Sequence, residues 1–357
     1  MYHGRTYWAH LENHVTITAG LDVGGAHLKV ALVEDGRTIA ATQFSCPLWQ
    51  GMDKLDAALI EAALLVSRAT RHAITMTGEL SDQFPDRKTG VITLVARMVR
   101  AFGPETKFWM GPRGFGSAAE AMKNANEVGS TNFLATAELV ARHHAKALLI
   151  DFGSTTADII PIIGGKPTPR GLTDAERQTT GELVYTGYTR TAVMGVTNRA
   201  PFQGQWVSLA REYLATMADV RRILNVLPDG VDLHATADGR GQSVPESLTR
   251  FARMLGRDAR DASQSDWQSA ASFVREEQLR SIMDGVLQVV SSDTLQSDAP
   301  FIAAGIGASE IDEIARRLDR ECRPFAQLAN ATDACRLTAT HFAPAVAVAL
   351  LLEGRST

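Results

Sequence analysis

Two short segments combine an aspartate with glycine and small polar residues in a pattern typical of phosphate binding. Residues 20–29 read Gly-Leu-Asp-Val-Gly-Gly-Ala-His-Leu-Lys, and residues 151–158 read Asp-Phe-Gly-Ser-Thr-Thr-Ala-Asp. Glycine allows a tight turn whose backbone N–H groups approach an anion closely. An aspartate at the end of the preceding strand can hold a hydrated Mg²⁺ against that anion. The segments therefore predict two phosphate-binding turns with a metal ion beside them.

Individual roles follow from the residue types. Asp22 and Asp151 are predicted to be catalytic and to hold Mg²⁺, directly or through water. Asp158 is expected to be either a catalytic base or only a strand-end partner. The phosphate or diphosphate is expected to contact backbone N–H groups, hydroxyl groups and one ammonium group, which belong to Gly24, Gly25, Lys29, Gly153, Ser154, Thr155 and Thr156.

Both segments lie between apolar runs typical of β-strands. Around the first segment these runs are residues 15–19, 28–33 and 38–44, with Asp35-Gly36 as a hairpin turn. Around the second they are residues 147–150 and 157–163, followed by a Gly-Gly hairpin turn at 164–165. The two units lie about 129 residues apart, measured from Asp22 to Asp151. This spacing predicts an α/β protein with two duplicated lobes.

Each segment also has a simpler interpretation. Residues 20–25 are compatible with a plain Gly-Gly hairpin, in which Lys29 faces solvent. Residues 151–156 are compatible with a polar turn capped by side-chain hydrogen bonds of the Asx type. Two such segments in equivalent positions of duplicated lobes favour phosphate and metal binding over either alternative.

The remaining pattern assigns the rest of the chain to these lobes. We expect helices over 52–69, 87–102, 117–145, 280–291, 309–318 and 344–352, and further strands over 73–76, 107–110 and 300–304. Ser309 is the expected N-cap of its helix. The predicted division is an N-terminal extension (1–14), lobe I (15–145, completed by a C-terminal helix within 344–357), and lobe II (146–343), with a helical insertion at about 171–295.

A third glycine turn, Gly305-Ile306-Gly307, follows a predicted strand and precedes a predicted helix. In a protein with duplicated lobes this turn could form the floor of a pocket for a nucleotide or a ring, which makes Gly305 and Gly307 candidate substrate-binding residues. Tight packing of the helix on the strand is the alternative explanation.

Composition excludes several functional classes. Apolar residues make up 45% of the chain, and a net charge of −4 with a pI near 6.2 favours no nucleic-acid partner. The apolar run at 343–352 is interrupted by Pro344 and spans about half a bilayer, so no membrane partner is expected. Cys46, Cys322 and Cys335 are far apart, which disfavours zinc and disulfides. We expect a cytoplasmic protein with small-molecule substrates, and the sequence makes no prediction of its oligomeric state.

The order of the three turns resembles that of the actin, sugar kinase and Hsp70 superfamily, over the whole chain. This resemblance implies ribonuclease H-like lobes on either side of a central cleft. One position departs from the pattern of many ATP-using relatives, because Ala26 stands where they have Ser or Thr. The missing hydroxyl weakens the prediction of a kinase and leaves diphosphate binding unaffected.

Longer strings resemble one branch of this superfamily more closely. Residues 76–82 (MTGELSD), Gly116-Ser117, residues 180–187 (TGELVYTG) and Arg190-Thr191 are similar to the hydantoinase/oxoprolinase-like proteins linked to tetrahydromethanopterin C1 transfer. That branch includes a methanofuran-pathway synthase. The resemblance implies a transferase that forms an ether: the phenol of γ-glutamyltyramine attacks an aminomethylfuran-methyl diphosphate, and diphosphate leaves. Mg²⁺ is then the expected cofactor, and ATP is not required.

The same strings contain further candidate residues. Glu79 is a candidate catalytic base, and Asp82 is a candidate substrate-binding residue. Either could take the phenol proton or pair with the substrate's ammonium group. The alternative for both is N-terminal capping of the next helix. Glu182 is a candidate substrate-binding residue, and Arg190 could bind the γ-glutamyl carboxylate with two hydrogen bonds. A surface ion pair is the alternative for Arg190.

Two other functions remain open at this stage. An ATP-dependent phosphotransferase or ATP hydrolase of the same superfamily would use the same turns. A nucleotide-sensing protein without enzymatic activity is disfavoured, because the aspartate and glycine positions are intact and the sequence has no evident interaction tail.

Overall fold

The computed structural model describes residues 16–292, 295 and 298–354. The predicted extension over 1–14, the first residue of the strand predicted from Val15, and the last three residues of the segment 344–357 lie outside the described residues.

Lobe I is built on a six-stranded sheet with the order β3-β2-β1-β4-β5-β6. Its strands and helices are β1 (Ile17–Val23), β2 (His27–Glu34), β3 (Arg37–Ser45), α1 (Met52–Val66), β4 (Arg71–Met76), α2 (Arg87–Phe102), β5 (Lys107–Trp109), β6 (Phe115–Gly116), α3 (Ala118–Lys123) and α4 (Asn132–His143). Strand β1 pairs antiparallel with β2 and parallel with β4. The carboxyl ends of the parallel strands therefore meet at one edge of the sheet, where Asp22 lies.

Lobe II repeats the arrangement with the order β10-β8-β7-β13-β14, and β9 pairs with β8. The elements from residue 146 onward are β7 (Lys146–Phe152), β8 (Ala157–Ile163), β9 (Lys166–Pro167), α5 (Asp174–Thr180), β10 (Leu183–Val184), β11 (Arg199–Phe202), β12 (Gln205–Ser208), α6 (Met217–Ile223), α7 (Val244–Met254), α8 (Gln264–Val290), β13 (Phe301–Ala304), α9 (Ala308–Arg317), β14 (Cys322–Pro324), α10 (Arg336–His341) and α11 (Ala343–Glu353). Strand β7 pairs antiparallel with β8 and parallel with β13.

The two lobes match residue by residue at the predicted turns. Asp22 pairs with Lys29 across β1 and β2, and Asp151 pairs with Asp158 across β7 and β8. The turn in lobe I closes with a hydrogen bond from Gly24 N to His27 O (3.0 Å), and the turn in lobe II closes from Gly153 N to Thr156 O (2.9 Å). These pairs confirm the prediction of an α/β protein with duplicated ribonuclease H-like lobes.

Several element boundaries differ from the predictions. Strands β1 and β7 continue one residue past their aspartates, and the helix predicted over 117–145 is divided into α3 and α4. The N-cap of α9 is Gly307, with no side-chain hydrogen bond, so the prediction that Ser309 is the N-cap was wrong. The helix begins earlier because residues 305–307 turn the chain directly out of β13. Helix α8 begins at Gln264, well before the predicted residue 280.

The helical insertion has a core of its own. Phe251 on α7 and Trp267 on α8 are fully buried in a cluster that also includes Phe202 of the β11–β12 hairpin. Residues 183–184 of the predicted insertion form β10, which extends the lobe II sheet by pairing with β8.

Helix α11 packs on the sheet of lobe I, although it follows lobe II in the chain. A Cβ atom added at Gly20 in β1 would lie 2.0 Å from the Ala345 carbonyl oxygen, so only glycine permits this close approach. No single helix in the described part of the chain is long and apolar enough to cross a membrane. One pair, 333–341 with 343–353, passes that test only in combination and is bent by 109°.

Candidate functional site

A cavity of about 420 Å³ lies between the two lobes. Both predicted turns line it, with residues 24–27 from lobe I and residues 153–156 from lobe II, together with Lys29, Asp151 and Asp158. A volume of this order is typical of a site for a small molecule. The duplicated turns therefore share one cavity.

Asp22 and Lys29 form an ion pair beside this cavity: Lys29 lines it, whereas Asp22 does not. Lys29 Nζ donates to Asp22 Oδ2 over 2.9 Å, and the Asp22 side chain is fully buried. Burial lowers the pKa of Lys29, but the charges of Asp22, Asp151 and Asp158 raise it above its usual value. Lys29 lines the cavity and so does not simply face solvent. Asp22 Oδ1 has no hydrogen-bond partner among the described residues.

Asp151 belongs to the same group of charges. Burial raises the pKa of its carboxyl to about 7, and the negative charges of Asp158 and Asp22 add to this effect, while Lys29 opposes it. The structure thus brings Asp22, Asp151 and Asp158 within electrostatic range of one lysine.

Asp158 has a second cationic partner that the sequence did not reveal. Arg177 Nη2, on α5, donates to Asp158 Oδ1 over 2.5 Å, and the guanidinium lies 3.6 Å from the centre of the Phe133 ring. Arg177 also lines the cavity. The capping pattern of Thr173 and Glu176 signals where α5 begins. That local pattern does not identify the carboxylate that the arginine binds.

Glu79 is buried beside the cavity and is not one of its lining residues. Its Oε1 accepts a 2.7 Å hydrogen bond from Ser130 Oγ, while Oε2 has no partner among the residues described. Burial raises the pKa of this carboxyl to about 7. Asp82 is exposed and lines the cavity. The N-cap of α2 is Asp86, which accepts from Thr89 N, so neither Glu79 nor Asp82 caps that helix.

Replacing Glu79 by Gln is expected to remove a pH-dependent loss of stability. Because the pKa of Glu79 is raised from 4.5 to about 7, its contribution to folding is full below pH 4.5 and is lost as pH rises through 7. At about pH 8 the variant should exceed the wild type in unfolding free energy by about 3 kcal/mol, and near pH 4 this difference should vanish. Urea unfolding at both pH values measures it. The control variant is Glu105→Gln, at an exposed position. Its unfolding free energy should stay close to that of the wild type at both pH values.

Glu182 also lies outside the cavity lining. Its buried carboxylate accepts from Arg170 N (2.7 Å), Gly171 N (3.2 Å) and Thr180 Oγ1 (3.0 Å), and so it holds the loop before α5. The carbonyl oxygen of Glu182 accepts from Arg177 Nη2 over 3.0 Å. In this structure Glu182 therefore contacts a lining residue, Arg177, and does not itself line the cavity.

The third glycine turn presses against the end of β7. Gly305 has a φ of +81°, and a Cβ atom there would lie 2.5 Å from Asp151 Oδ1. A Cβ atom at Gly307 would lie 2.2 Å from the Phe152 ring, and only Ile306 of this turn lines the cavity. The two glycines permit the close packing that holds Asp151 in place.

Arg190 lies on the lobe II turn. Its backbone N–H donates to Ser154 O over 3.0 Å, and its Nη1 donates to Thr155 Oγ1 over 3.1 Å. Gly187 permits this contact, because a Cβ atom there would lie 2.1 Å from Ser154 O. Residues 187–190 of the second string therefore pack directly against the turn.

The insertion reaches lobe I beside the cavity. Gln43 Nε2 donates to Gly230 O over 3.0 Å, and the rings of His27 and His234 lie 4.5 Å apart. Burial lowers the pKa of His27 well below its usual value and that of His234 to about 4, so both rings are neutral at neutral pH. Trp49 lies 6.3 Å from the His234 ring and also lines the cavity. The sequence analysis missed Trp49 and His234, since neither lies in a recognisable pattern.

Two carboxylates are candidates to hold Mg²⁺: Asp151, which lines the cavity, and Asp22, which is fully buried and lies outside the lining. Asp22 has a buried carboxylate oxygen without a partner, and Asp151 is a carboxylate whose proton affinity is raised by its neighbours. No group of three or more His, Cys, Asp or Glu ligands occurs among the described residues. Mg²⁺ is commonly bound by one or two carboxylates together with phosphate oxygens, so the pair fits this ion when a phosphate group is present.

Comparisons with known proteins identify a family and two related synthases. A family model described as hydantoinase/oxoprolinase matches residues 71–336. The (4-{4-[2-(gamma-L-glutamylamino)ethyl]phenoxymethyl}furan-2-yl)methanamine synthase of Methanocaldococcus jannaschii is 34% identical over 237 residues, which cover 66% of this chain and 70% of that protein. The synthase of the same name from Methanococcus vannielii is 34% identical over 128 residues, 36% of this chain and 57% of that protein.

Among solved structures, a nucleotide-free acetone carboxylase resembles this chain with a TM-score of 0.53 and 10% identity, over 83% of this chain and 66% of that one. At this identity the likeness concerns the fold alone.

Proposed function

Because this chain belongs to the hydantoinase/oxoprolinase family, we propose that it is a synthase of methanofuran-type cofactor biosynthesis. It joins the phenol oxygen of γ-glutamyltyramine to the methylene carbon of an aminomethylfuran-methyl diphosphate and releases diphosphate. The observation that supports this most directly is the 34% identity to the Methanocaldococcus jannaschii synthase over 70% of that protein. The cavity with its two facing turns supplies a place for the leaving diphosphate.

In this reaction one C–O bond forms and another breaks. The phenol oxygen attacks the methylene carbon, the electron pair of the broken bond leaves with the diphosphate, and the phenol proton passes to a base. The furan oxygen spreads the positive charge that develops on the methylene carbon. The main demand on the protein is therefore to meet the negative charge that accumulates on the diphosphate.

The residues of the two turns are placed to meet this demand. Ser154, Thr155 and Thr156 line the same cavity as Lys29 and carry hydroxyl and backbone N–H donors. The N–H groups of Gly24 and Gly153 close their own turns, so the donors come from the other residues of the turns. Asp22 and Asp151 would hold Mg²⁺, which neutralises charge on the diphosphate when bound. These groups stabilise the leaving group more strongly as its charge grows.

Asp158 is the carboxylate best placed to take the phenol proton. It lines the cavity, and its ion pair with Arg177 fixes its orientation. A phenol has a pKa of about 10, so its proton is lost more readily when a carboxylate lies beside it to accept that proton. Glu79 is buried outside the lining, where it can act only through neighbouring groups such as Ser130.

The test is to supply both proposed substrates to the purified protein with Mg²⁺. We expect release of free diphosphate and a new product whose mass equals the acceptor plus the aminomethylfuran-methyl group minus one hydrogen, each only when both substrates are present. A parallel incubation replaces the furan compound with ATP. Acceptor-dependent ADP formation without the ether product would instead assign a phosphotransferase, and nucleotide binding without turnover would assign a nucleotide-sensing protein.

A further inference from the structure

The cationic side chains of the cavity differ in whether they have an anionic partner. Lys29 pairs with Asp22 over 2.9 Å, and Arg177 pairs with Asp158 over 2.5 Å. Arg190 is the third lysine or arginine that lines the cavity. No carboxylate within the described residues forms an ion pair with it, whereas its guanidinium donates to the neutral Thr155 hydroxyl. Arg190 is therefore the cation in the cavity that an incoming anion can neutralise.

The position of this guanidinium is well defined on both sides. On the lobe II side, the Arg190 backbone N–H donates to Ser154 O, and Nη1 of its guanidinium donates to Thr155 Oγ1 of the same predicted phosphate turn. On the lobe I side, the guanidinium carbon lies 5.2 Å from the centre of the Trp49 ring. Cation–π contact at this distance stabilises the charge without neutralising it.

The surroundings of Arg190 leave its charge incompletely compensated. The side chain is partly buried, and burial lowers the pKa of the guanidinium from its usual value. Tyr185, which also lines the cavity, and Tyr213 lie close enough to raise this pKa electrostatically, against the larger effect of burial. A buried charge without a counter-ion costs free energy, which binding of an anion recovers.

We propose that Arg190 binds the diphosphate group in this cavity, together with the Ser154–Thr155 turn, rather than the carboxylate of the acceptor. The guanidinium adds two N–H donors to the backbone and hydroxyl donors of the turn, and a phosphate group accepts such paired donors readily. In the proposed reaction, on which this catalytic part of the inference rests, Arg190 then stabilises the leaving diphosphate. Trp49 is a positioning residue that holds the guanidinium from the opposite lobe.

Binding of inorganic pyrophosphate tests this assignment directly. With Mg²⁺ present, calorimetric titration of Arg190→Met should show pyrophosphate affinity reduced by about 10-fold to 100-fold, as expected when a charge-assisted hydrogen bond is lost. Arg190→Lys keeps the charge but not the paired donors, so its pyrophosphate affinity should lie between those of Arg190→Met and the wild type. Affinity for γ-glutamyltyramine should change less than twofold in both variants.

Arg199→Met is a matched control, because Arg199 also lies over a tryptophan ring, 4.3 Å from the centre of Trp206, but outside the cavity. It should leave pyrophosphate affinity unchanged. Trp49→Leu should weaken pyrophosphate binding less than Arg190→Met does. If Arg190→Met weakens binding of γ-glutamyltyramine and leaves pyrophosphate binding intact, the guanidinium binds the carboxylate and the proposal is wrong.

The source of the diphosphate is tested with a second ligand. If the affinities for ADP and for pyrophosphate both depend on Arg190, the site accepts the diphosphate of a nucleotide. If only the affinity for pyrophosphate depends on Arg190, the site is specific for a diphosphate without adenosine. Arg190-dependent binding in a protein that forms no ether would reject the proposed function and leave this assignment standing. If the protein forms the ether but binds pyrophosphate independently of Arg190, the role assigned to Arg190 is wrong and the proposed function is supported.

Discussion

Replacing Asp151 by Asn is expected to reduce turnover by at least about 100-fold while leaving the protein folded and, at alkaline pH, more stable. Asp151 lies in the cavity between the two turns, where it is a candidate Mg²⁺ ligand beside the proposed diphosphate site. An amide keeps the shape of the side chain but removes the charge. Steady-state kinetics with saturating Mg²⁺ measures the loss.

The expected gain in stability separates this role from a structural one. Burial and the neighbouring carboxylates raise the pKa of Asp151 from 3.8 to about 7. Its contribution to folding is therefore complete below pH 3.8 and is lost as pH rises through 7. At about pH 8 and with chelator present, the Asn variant should exceed the wild type in unfolding free energy by up to about 4 kcal/mol. A residue that only supported the fold would lower activity and stability together.

Asp284→Asn is the matched control for Asp151→Asn. It makes the same change in net charge at an exposed ion pair with Arg280 on α8. Its activity should equal that of the wild type, and its stability should change by less than about 1 kcal/mol. Full activity in Asp151→Asn would show that the metal and the diphosphate are held elsewhere.

Replacing Arg221 by Met is expected to reduce both the stability of the protein and its affinity for pyrophosphate. Arg221 is fully buried and forms an ion pair with Glu310. Its Nη1 donates to Tyr188 O over 2.7 Å, and its Nη2 donates to Gln278 Oε1 over 2.9 Å. Removal of one member of a buried ion pair costs about 3 to 5 kcal/mol. Because Glu310 keeps Arg275 as a partner at 2.7 Å, we expect the lower end of this range.

The effect on binding follows from the residues that the hydrogen bonds of Arg221 connect to the lobe II turn. Gln278 Nε2 donates to Gly187 O over 2.8 Å, and Tyr188 N donates to Gly153 O over 2.9 Å. Arg221 thus positions residues 187–188, which pack on the lobe II turn. Loosening them should weaken pyrophosphate binding by about threefold to tenfold, with the variant measured well below its unfolding temperature.

Arg250→Met distinguishes this effect from general destabilisation. Arg250 is also fully buried and pairs with Asp219 over 2.7 Å, but its partners all lie within the helical insertion. Its loss should lower the unfolding temperature as much as the loss of Arg221 and leave pyrophosphate affinity unchanged. If the two variants lose affinity equally, Arg221 has no specific role in positioning the turn.

Local patterns in the sequence were sufficient to predict the repeated unit. The offset of 129 residues predicted from Asp22 and Asp151 also relates Gly24 to Gly153 and Lys29 to Asp158 in the strand registers. Such agreement is expected because a strand, a tight turn and the next strand interact mainly with one another. The alternation of apolar residues determines the register, and glycine determines where the chain can reverse.

The partners of individual side chains were less predictable. Glu182 was a candidate substrate-binding residue, yet its carboxylate accepts hydrogen bonds from the loop at 170–171. The sequence shows a carboxylate but does not show that the backbone N–H groups of residues 170–171 lie beside it and use it as their acceptor. Likewise, the glycine pair at 305 and 307 was compatible with ring binding or with close packing, and the structure places both against residues 151–152.

The two aspartate turns, their equivalence and the lobes that contain them could be predicted from the sequence, because each depends on residues that are neighbours along the chain. The pairing of the charges in the shared cavity became visible only in the folded protein. Asp158 forms an ion pair with Arg177 of α5, whereas Arg190 contacts Trp49 of the opposite lobe and has no anionic partner within the described part of the chain. These contacts depend on how the two sheets and the insertion dock, and the free energy of docking comes from many buried side chains spread over the chain. No short segment of the sequence can specify this docking alone.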